Sequence, residues 1–518
     1  MLDIDELQHK TPEELTNIIV TLNEKFQTSL TQKQTLIDTL YEQIYLLKNG
    51  KFGASSERYV DELPQGRLFD EAELPHNAAE IEAADENITV PEHLRKKRGR
   101  KPLPKDLPRI EIIHDLADCD KQCACGCQLT CIGDERTEQL EIIPAKVQVL
   151  VHVQKKYACK ECEETIKTAA KPKQPIPKSI AAPGLLAHVL TQKYHYHLPL
   201  YRQEMMFQGI GVDIPRATFS LWVIRCSELL QPLVNLLEDH ILNYDIAYTD
   251  ESTLQVLKEP DKPAQSKSYM WCFGGGPPEQ FSVVYHYHPS REHQKAIDFF
   301  AGYQGYLHCD GYQAYDALKK ENPDDIIILV GCWYHVRRKF VEADKVSKKG
   351  GLAKYFIDEI RELSKIEKAI KAQMLDSEAA KQYRLDHALP RIEKIEEKLK
   401  KYQSQVSSQG KLGQAISYTL NQWPKLLTYL KDGRLEISNN RMERAIKPFA
   451  VGRKNWLFAN SVAGAKAGAI IYSLIETCKA HNINPYDWLR YALTELPRCE
   501  TVEQYEALLP FNFNDQKN

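Results

Sequence analysis

Leu15, Ile19, Leu22 and Phe26, and then Leu36, Leu40, Ile44 and Leu47, recur at helical spacing with Gln, Lys, Thr and Glu between them. This predicts an amphipathic helix within residues 1–60. Its heptad-like form suits a self-associating coiled coil, with a helix packed on its own domain as the alternative. Large apolar residues then thin out. From Asp61 to Glu92 the chain carries ten acids against one Arg, with Pro64, Pro75 and Pro91, which predicts an acidic linker over 61–94. The sign reverses over 95–105, RKKRGRKPLPK, with seven basic side chains in eleven residues. A cysteine-rich module fills 106–170, and a Pro-rich hinge, KPKQPIPKSIAAPG, follows it. Residues 180–240 have helical periodicity with a break at Gly209–Asp213, compatible with a helix-turn-helix that binds DNA or links domains.

Near Asn243 the period changes to that of strands. YDIAYTD, SYMWCFGG, FSVVYHYH, GYLHCD and IIILVGCW alternate with helix-like stretches, the pattern of a mixed α/β core over 243–460. Between about 334 and 432 the pattern is charged and helical, with Pro390 as its breaker, and reads as an insertion in that core. Small residues dominate VAGAKAGAIIYSLIETCKAHNINPYDWLRYAL, predicting a closely packed helical element over 461–505. The fold class expected is multidomain α+β.

Composition sharpens this picture at three points. A length of 518 residues calls for roughly three or four units. No apolar run approaches the roughly 18–20 residues of a membrane span, and the start, MLDIDELQHK, lacks the pattern of a secretory signal, so a cytoplasmic protein without membrane contact is expected. The net charge of -3 is near neutral, yet the bases are clustered, and local patches decide where phosphate binds.

The chemistry gathers on three acids. Asp250 and Asp310 each close a strand-like run, and Glu443 lies in ISNNRMERAIKPFAVGRKNWLFANS among Arg441, Arg444, Lys447, Arg453 and Lys454. Taken singly, each has an ordinary explanation: a helix cap for Asp250, an Asp–Gly turn for Asp310, an i,i+4 pair with Lys447 for Glu443. Taken together, with the insertion looping out between the second and third, they form a set of hard oxygen donors suited to Mg²⁺ or Mn²⁺ and to phosphodiester chemistry on nucleic acid. His335, Arg337 and Arg338 after Trp333 are further candidates to hold DNA at that centre.

Seven of the thirteen cysteines lie between Cys119 and Cys162, a clustering that favours a metal site over disulfides. Cys159 and Cys162 form a clean Cys-x-x-Cys pair. The earlier run, CACGC, adds further cysteines to the cluster. Four thiolates would make a closed structural Zn²⁺ site, the staple that a small module needs. Arg98, Arg100 and Lys101 belong to an Arg–Gly–Arg run that suits either an A·T-rich minor groove or any polyanion.

YTDES, LHCDGY, GCWYHVRRKF and SNNRMERAIKPFAVGRKNWLFANS closely resemble the signature segments of insertion sequence family 66 transposases, and the likeness extends over almost the entire chain. The resemblance implies a leucine-zipper-like N-terminus, a basic stretch, a zinc-finger-like module, a DDE core of ribonuclease H-like fold and a short C-terminal element. It implies that Asp250, Asp310 and Glu443 are the catalytic acids, and that Cys123 and Cys125 join Cys159 and Cys162 as zinc ligands, Cys125 aligning with the family's Cys–Gly and Cys123 lying one residue closer than the family's spacing, with Cys119, Cys127 or Cys131 able to replace Cys123. It further implies cleavage at transposon ends by a metal-activated water, then attack of the freed 3′-hydroxyl on target DNA. The expected partners are terminal inverted repeats, target DNA, further copies of the chain and accessory proteins of the same element, with the protein at the bacterial nucleoid when DNA-bound. A junction-resolving nuclease of the same fold and a non-catalytic DNA-binding regulator are the alternatives.

Overall fold

A computed structural model describes residues 147–158, 166–292, 294–311, 315, 327–346 and 351–513, with a few positions between 11 and 26. Most of the expected coiled coil lies outside the described residues, although Asn17, Val20, Thr21, Asn23 and Phe26 within it are helical; the acidic linker, the basic hook with Arg98, Arg100 and Lys101, and the cysteines Cys123, Cys125, Cys159 and Cys162 lie wholly outside them. Short strands β1 (Lys156–Ala158) and β2 (Ile166–Thr168) pair antiparallel on either side of the Cys159–Cys162 segment.

Three helices follow: α1 (Pro183–Tyr194), α2 (Leu200–Gly209) and α3 (Arg216–Leu242). Pro183 opens α1 in the first turn, where a missing N–H leaves no bond unmade. Between α2 and α3 the chain turns at Gly211, whose φ of +80° is open to glycine at no steric cost. In α3 the stripe Phe219, Trp222, Cys226, Leu230, Leu233, Leu237 and Ile241 repeats every three or four residues and is buried throughout.

The sheet is built from β3 (Ile246–Lys258), β4 (Lys267–Gly275), β5 (Ser282–His288), β6 (Gly305–Cys309) and β7 (Ile327–Gly331), in the order β5-β4-β3-β6-β7. The first three form an antiparallel meander, and β6 and β7 run parallel to β3. A short helix, α4 (Gln294–Phe299), connects β5 to β6 and stacks Phe299 on Phe273 of β4 at 3.9 Å between ring centroids.

Asp250, expected to close its strand, does not: β3 continues to Lys258 through antiparallel pairing with β4 as far as Gln255↔Lys267. The polar run Glu251, Ser252 and Thr253 mimics a strand end in sequence, but the ladder to β4 satisfies its backbone. On the other side of β3, the parallel pairing with β6 covers Ile246 to Tyr248, so Asp250 lies just beyond it.

After β7 come α5 (Trp333–Val346), α6 (Leu352–Ala372), α7 (Ser377–His387), α8 (Leu389–Gln403) and α9 (Lys411–Leu427). Pro390 stands in the first turn of α8 and marks the break from α7. At the centre of these helices Arg384, 3% exposed, grips Glu367 through two hydrogen bonds of 2.8 and 2.7 Å. The same guanidinium donates to the carbonyls of Tyr429, Asp432 and Leu435. It thereby ties the helices to the segment that leads back to the sheet.

That segment enters α10 (Asn440–Trp456), then β8 (Ala459–Ser461), which pairs with the far end of β3, and then α11 (Val462–Ala480), α12 (Pro485–Glu495) and α13 (Val502–Glu506). Helix α11 covers the outer edge of β5. Ser473 and Thr477 accept the Tyr285 and Val283 backbone N–H groups at 2.8 and 3.0 Å, pairing donors that an open edge would leave for another chain.

Candidate active site

The parallel register fixes the first two acids. Tyr248 stands opposite His308 and Cys309 opposite Gly331, so continuing each ladder sets Asp250 beside Asp310 and Asp310 beside Cys332. These positions lie at the carboxyl ends of the parallel pairings, where open α/β sheets place their ligand-binding groups. Cys272 of β4 and Tyr285 of β5 extend the same row away from Asp250.

Helix α10 brings the third acid onto this row. Its buried face, Met442, Ala445, Ile446 and Phe449, packs toward the sheet, and the Tyr285 hydroxyl donates to the Ala445 carbonyl. Gly274 leaves room for this approach, since a Cβ there would overlap the Met442 methyl. Upstream, Asn439 donates its side-chain amide to the Thr249 carbonyl at 2.8 Å and its backbone N–H to Cys332 Sγ at 3.3 Å. The Trp333 N–H meets the Ile437 carbonyl at 3.1 Å. The start of α10 is thus stitched to β3 and to the β7–α5 turn, and Glu443 in its first turn is held against them.

The electrostatics reflect that convergence. Burial raises the Asp250 carboxyl well above the usual carboxylate range, and repulsion from Glu251, Asp310 and Glu443 raises it further; a hydrogen bond from the Glu251 N–H at 2.8 Å opposes the shift. Glu251 projects to the opposite face, 4% exposed, where Arg291 and the Tyr315 hydroxyl hold it. Glu443 Oε2 lies 3.4 Å from Arg338, and its Oε1 lies 3.6 Å from His335 Nδ1, beyond hydrogen-bond reach. Both Oε1 and Nδ1 are buried with no hydrogen-bond partner. A buried polar atom left unpaired costs on the order of 1–3 kcal/mol, so a ligand that paired these two atoms would be stabilising. The donor set fits a hard divalent cation: three carboxylates, with Asp250 repelled by the other two until a positive charge joins them.

The structure divides the expected DNA-binding residues. Arg444, Lys447 and Lys454 are exposed at spacings of three and seven along one face of α10. Arg338 is exposed on α5 beside Glu443, and Arg337 is half-buried there. Arg453 points instead at β3, donating to the carbonyl and hydroxyl of Thr253. Arg441 lies over the Phe281 ring at 4.7 Å and pairs with Glu436 at 3.0 Å. Both of these guanidinium groups hold protein to protein. Cys332 and Asn439 join the site without having been expected from the sequence. The spacing Cys332-x-x-His335 was the available signal for the first, and a single buried Asn leaves none.

A family model described as Transposase IS66 family matches residues 178–467, which carry all of this geometry. The chain belongs to that transposase family. Further family models match residues 39–112 (Transposase C of IS166 homeodomain), 120–163 (zinc-finger binding domain of transposase IS66) and 473–511 (IS66 C-terminal element). The zinc-finger match spans Cys123, Cys125, Cys159 and Cys162 and supports a structural zinc ion in that module. Among curated relatives, the uncharacterized protein y4qI of Sinorhizobium fredii is 30% identical, over 92% of this chain and 89% of its own. The uncharacterized protein y4jD of the same organism is 32% identical, over 79% of this chain and 81% of its own. Membership of this transposase family implies DNA as a partner and a divalent metal in the core. Among the described residues no helix is long and apolar enough to cross a membrane.

Proposed function

We propose that the protein is a DNA transposase that cuts at its element's terminal inverted repeats and joins the freed 3′-hydroxyl to target DNA. The observation that carries this reading is the meeting of Asp250, Asp310 and Glu443 from β3, the end of β6 and α10, elements nearly two hundred residues apart in the chain. The strand order β5-β4-β3-β6-β7, antiparallel for three strands and parallel for two, supports a ribonuclease H-like core. Mg²⁺ or Mn²⁺ ions held by the three carboxylates would supply Lewis-acid stabilisation to the attacking and leaving oxygens at phosphorus.

The chain's own residues do the remaining work. Asp250 and Asp310, fixed by the sheet, set the position of the reacting phosphate, and Glu443 is held to them by the Asn439 and Trp333 hydrogen bonds. Arg338, Arg444, Lys447 and Lys454 line the approach with positive charge and grip the flanking phosphates. Copies paired through the N-terminal helix would bring two ends together, alongside accessory proteins of the element, and the basic hook and zinc module would contribute to recognising each end.

The test is incubation of the full-length protein and Mg²⁺ with DNA carrying the element's own ends, beside a scrambled sequence and a four-way junction. Cuts at the ends leaving 3′-hydroxyls, and joined products on added target DNA, are expected. Preferential cutting of the junction would establish a resolving nuclease instead. Specific binding of the ends without cutting would establish a regulator.

A further inference from the structure

We propose that Cys332, His335 and Glu443 form a second cation site, which takes a borderline transition ion such as Zn²⁺ or Co²⁺ rather than Mg²⁺ and shares Glu443 with the carboxylate centre. Sγ of Cys332, a ring nitrogen of His335 and a carboxylate oxygen of Glu443 all lie within 4.8 Å of one another, so modest side-chain movement brings them onto one ion. Thiolate and imidazole select zinc-like ions, whereas Mg²⁺ demands oxygen.

Three further observations point to a ligand there. His335 Nδ1 and Glu443 Oε1 face each other at 3.6 Å, both buried and both lacking a hydrogen bond. The Cys332 sulfur sits at the N-terminus of α5, with the backbone N–H groups of Asn439, His335 and Tyr334 directed at it, donors that favour negative charge on sulfur. Burial and the Glu443 charge push the unliganded thiol up to about 12, and these three donors oppose that shift. Three protein donors leave a fourth position free, the pattern of zinc sites that admit water or a substrate oxygen. Coordination replaces the S–H proton of Cys332, which leaves to solvent.

The site itself stands on this geometry, and its effect on DNA cleavage rests on the proposed role of Glu443. An ion held by Cys332 and His335 would draw Glu443 away from Asp250 and Asp310, so Zn²⁺ beyond the amount bound by the zinc-finger module should suppress Mg²⁺-dependent cleavage.

The experiment uses full-length protein holding only the single Zn²⁺ equivalent that its zinc-finger module binds and titrates it with Co²⁺, following thiolate-to-cobalt charge-transfer absorption. One additional Co²⁺ with that absorption is expected in the wild type. Cys332→Ser should abolish the added absorption, and His335→Ala should weaken Co²⁺ binding by at least about 10–100-fold. Asp310→Asn should retain the absorption. An added thiolate band that survives Cys332→Ser, or no added band in the wild type, overturns the proposal. Should Cys332→Ser fail to fold by circular dichroism, His335→Ala decides alone, and unchanged affinity in that variant overturns the site. Cobalt binding without end cleavage would sink the transposase reading and leave this site standing.

Discussion

Asp250→Asn should yield a protein that no longer cuts DNA and that, without divalent metal, unfolds at a higher temperature than the wild type. Asn keeps the shape and can still accept the Glu251 N–H, so that hydrogen bond survives the change. What disappears is a half-buried negative charge repelled by Glu251, Asp310 and Glu443. The sign follows from linkage. The folded protein holds the Asp250 proton more tightly than the unfolded chain does, so this group's contribution to stability falls as pH rises from the ordinary Asp range through the raised folded value. The variant lacks that loss. Its advantage in unfolding temperature should therefore widen with pH, by about 2–4 °C for each kcal/mol of repulsion relieved. Mg²⁺ or Mn²⁺ should reverse the order by stabilising the wild type through binding, with little effect on the variant. Cleavage should fall at least about 10³-fold, corresponding to about 4 kcal/mol or more of lost transition-state stabilisation. Calorimetry at several pH values, with and without metal, checks the first part. Equal unfolding temperatures throughout would remove the claim of a repelling carboxylate cluster.

Arg384→Ala should be among the most damaging substitutions away from the site. Arg384 is 3% exposed and its bonds run to Glu367 and to the carbonyls of Tyr429, Asp432 and Leu435. Truncation strands a carboxylate that is 12% exposed and leaves those three carbonyls without this donor. Breaking a buried pair in this way costs about 3–5 kcal/mol. A double change, Arg384→Met with Glu367→Leu, should recover much of the loss, because no unpaired charge then remains. The damage should reach the active site as well, since Leu435 lies a few residues before Asn439 and the start of α10. Urea denaturation of the single and double variants measures both effects. A single-variant loss below about 1 kcal/mol would show that the network does not hold the helices to the sheet.

The sequence disclosed the strands because IAYTD, GYLHC and IIILVG are apolar runs bounded by polar or glycine-rich turns, and buried parallel strands need such runs. It disclosed the helices over 333–427 because their apolar positions keep a period near 3.6. Asp250 was misplaced at a strand end because the partner that extends β3, namely β4, is visible only as tertiary pairing. The basic residues of α10 illustrate a second limit. Arg444 and Lys447 face solvent while Arg441 and Arg453 are spent on Phe281, Glu436 and Thr253, a division set by neighbours far away in the chain. Glu251 shows a third: alternation along the strand places it opposite Asp250, yet only the fold supplies Arg291 and Tyr315 to hold it there.

The central claim is that Asp250, Asp310 and Glu443 act together at one metal-dependent centre. Its most direct test is strand cleavage of inverted-repeat DNA in Mg²⁺ by the wild type and by Asp310→Asn, with DNA binding measured on both. Joint action of the three acids predicts equal binding and a drop in cleavage of at least about 10³-fold in the variant. A variant that binds the ends and cleaves them at the wild-type rate would contradict it.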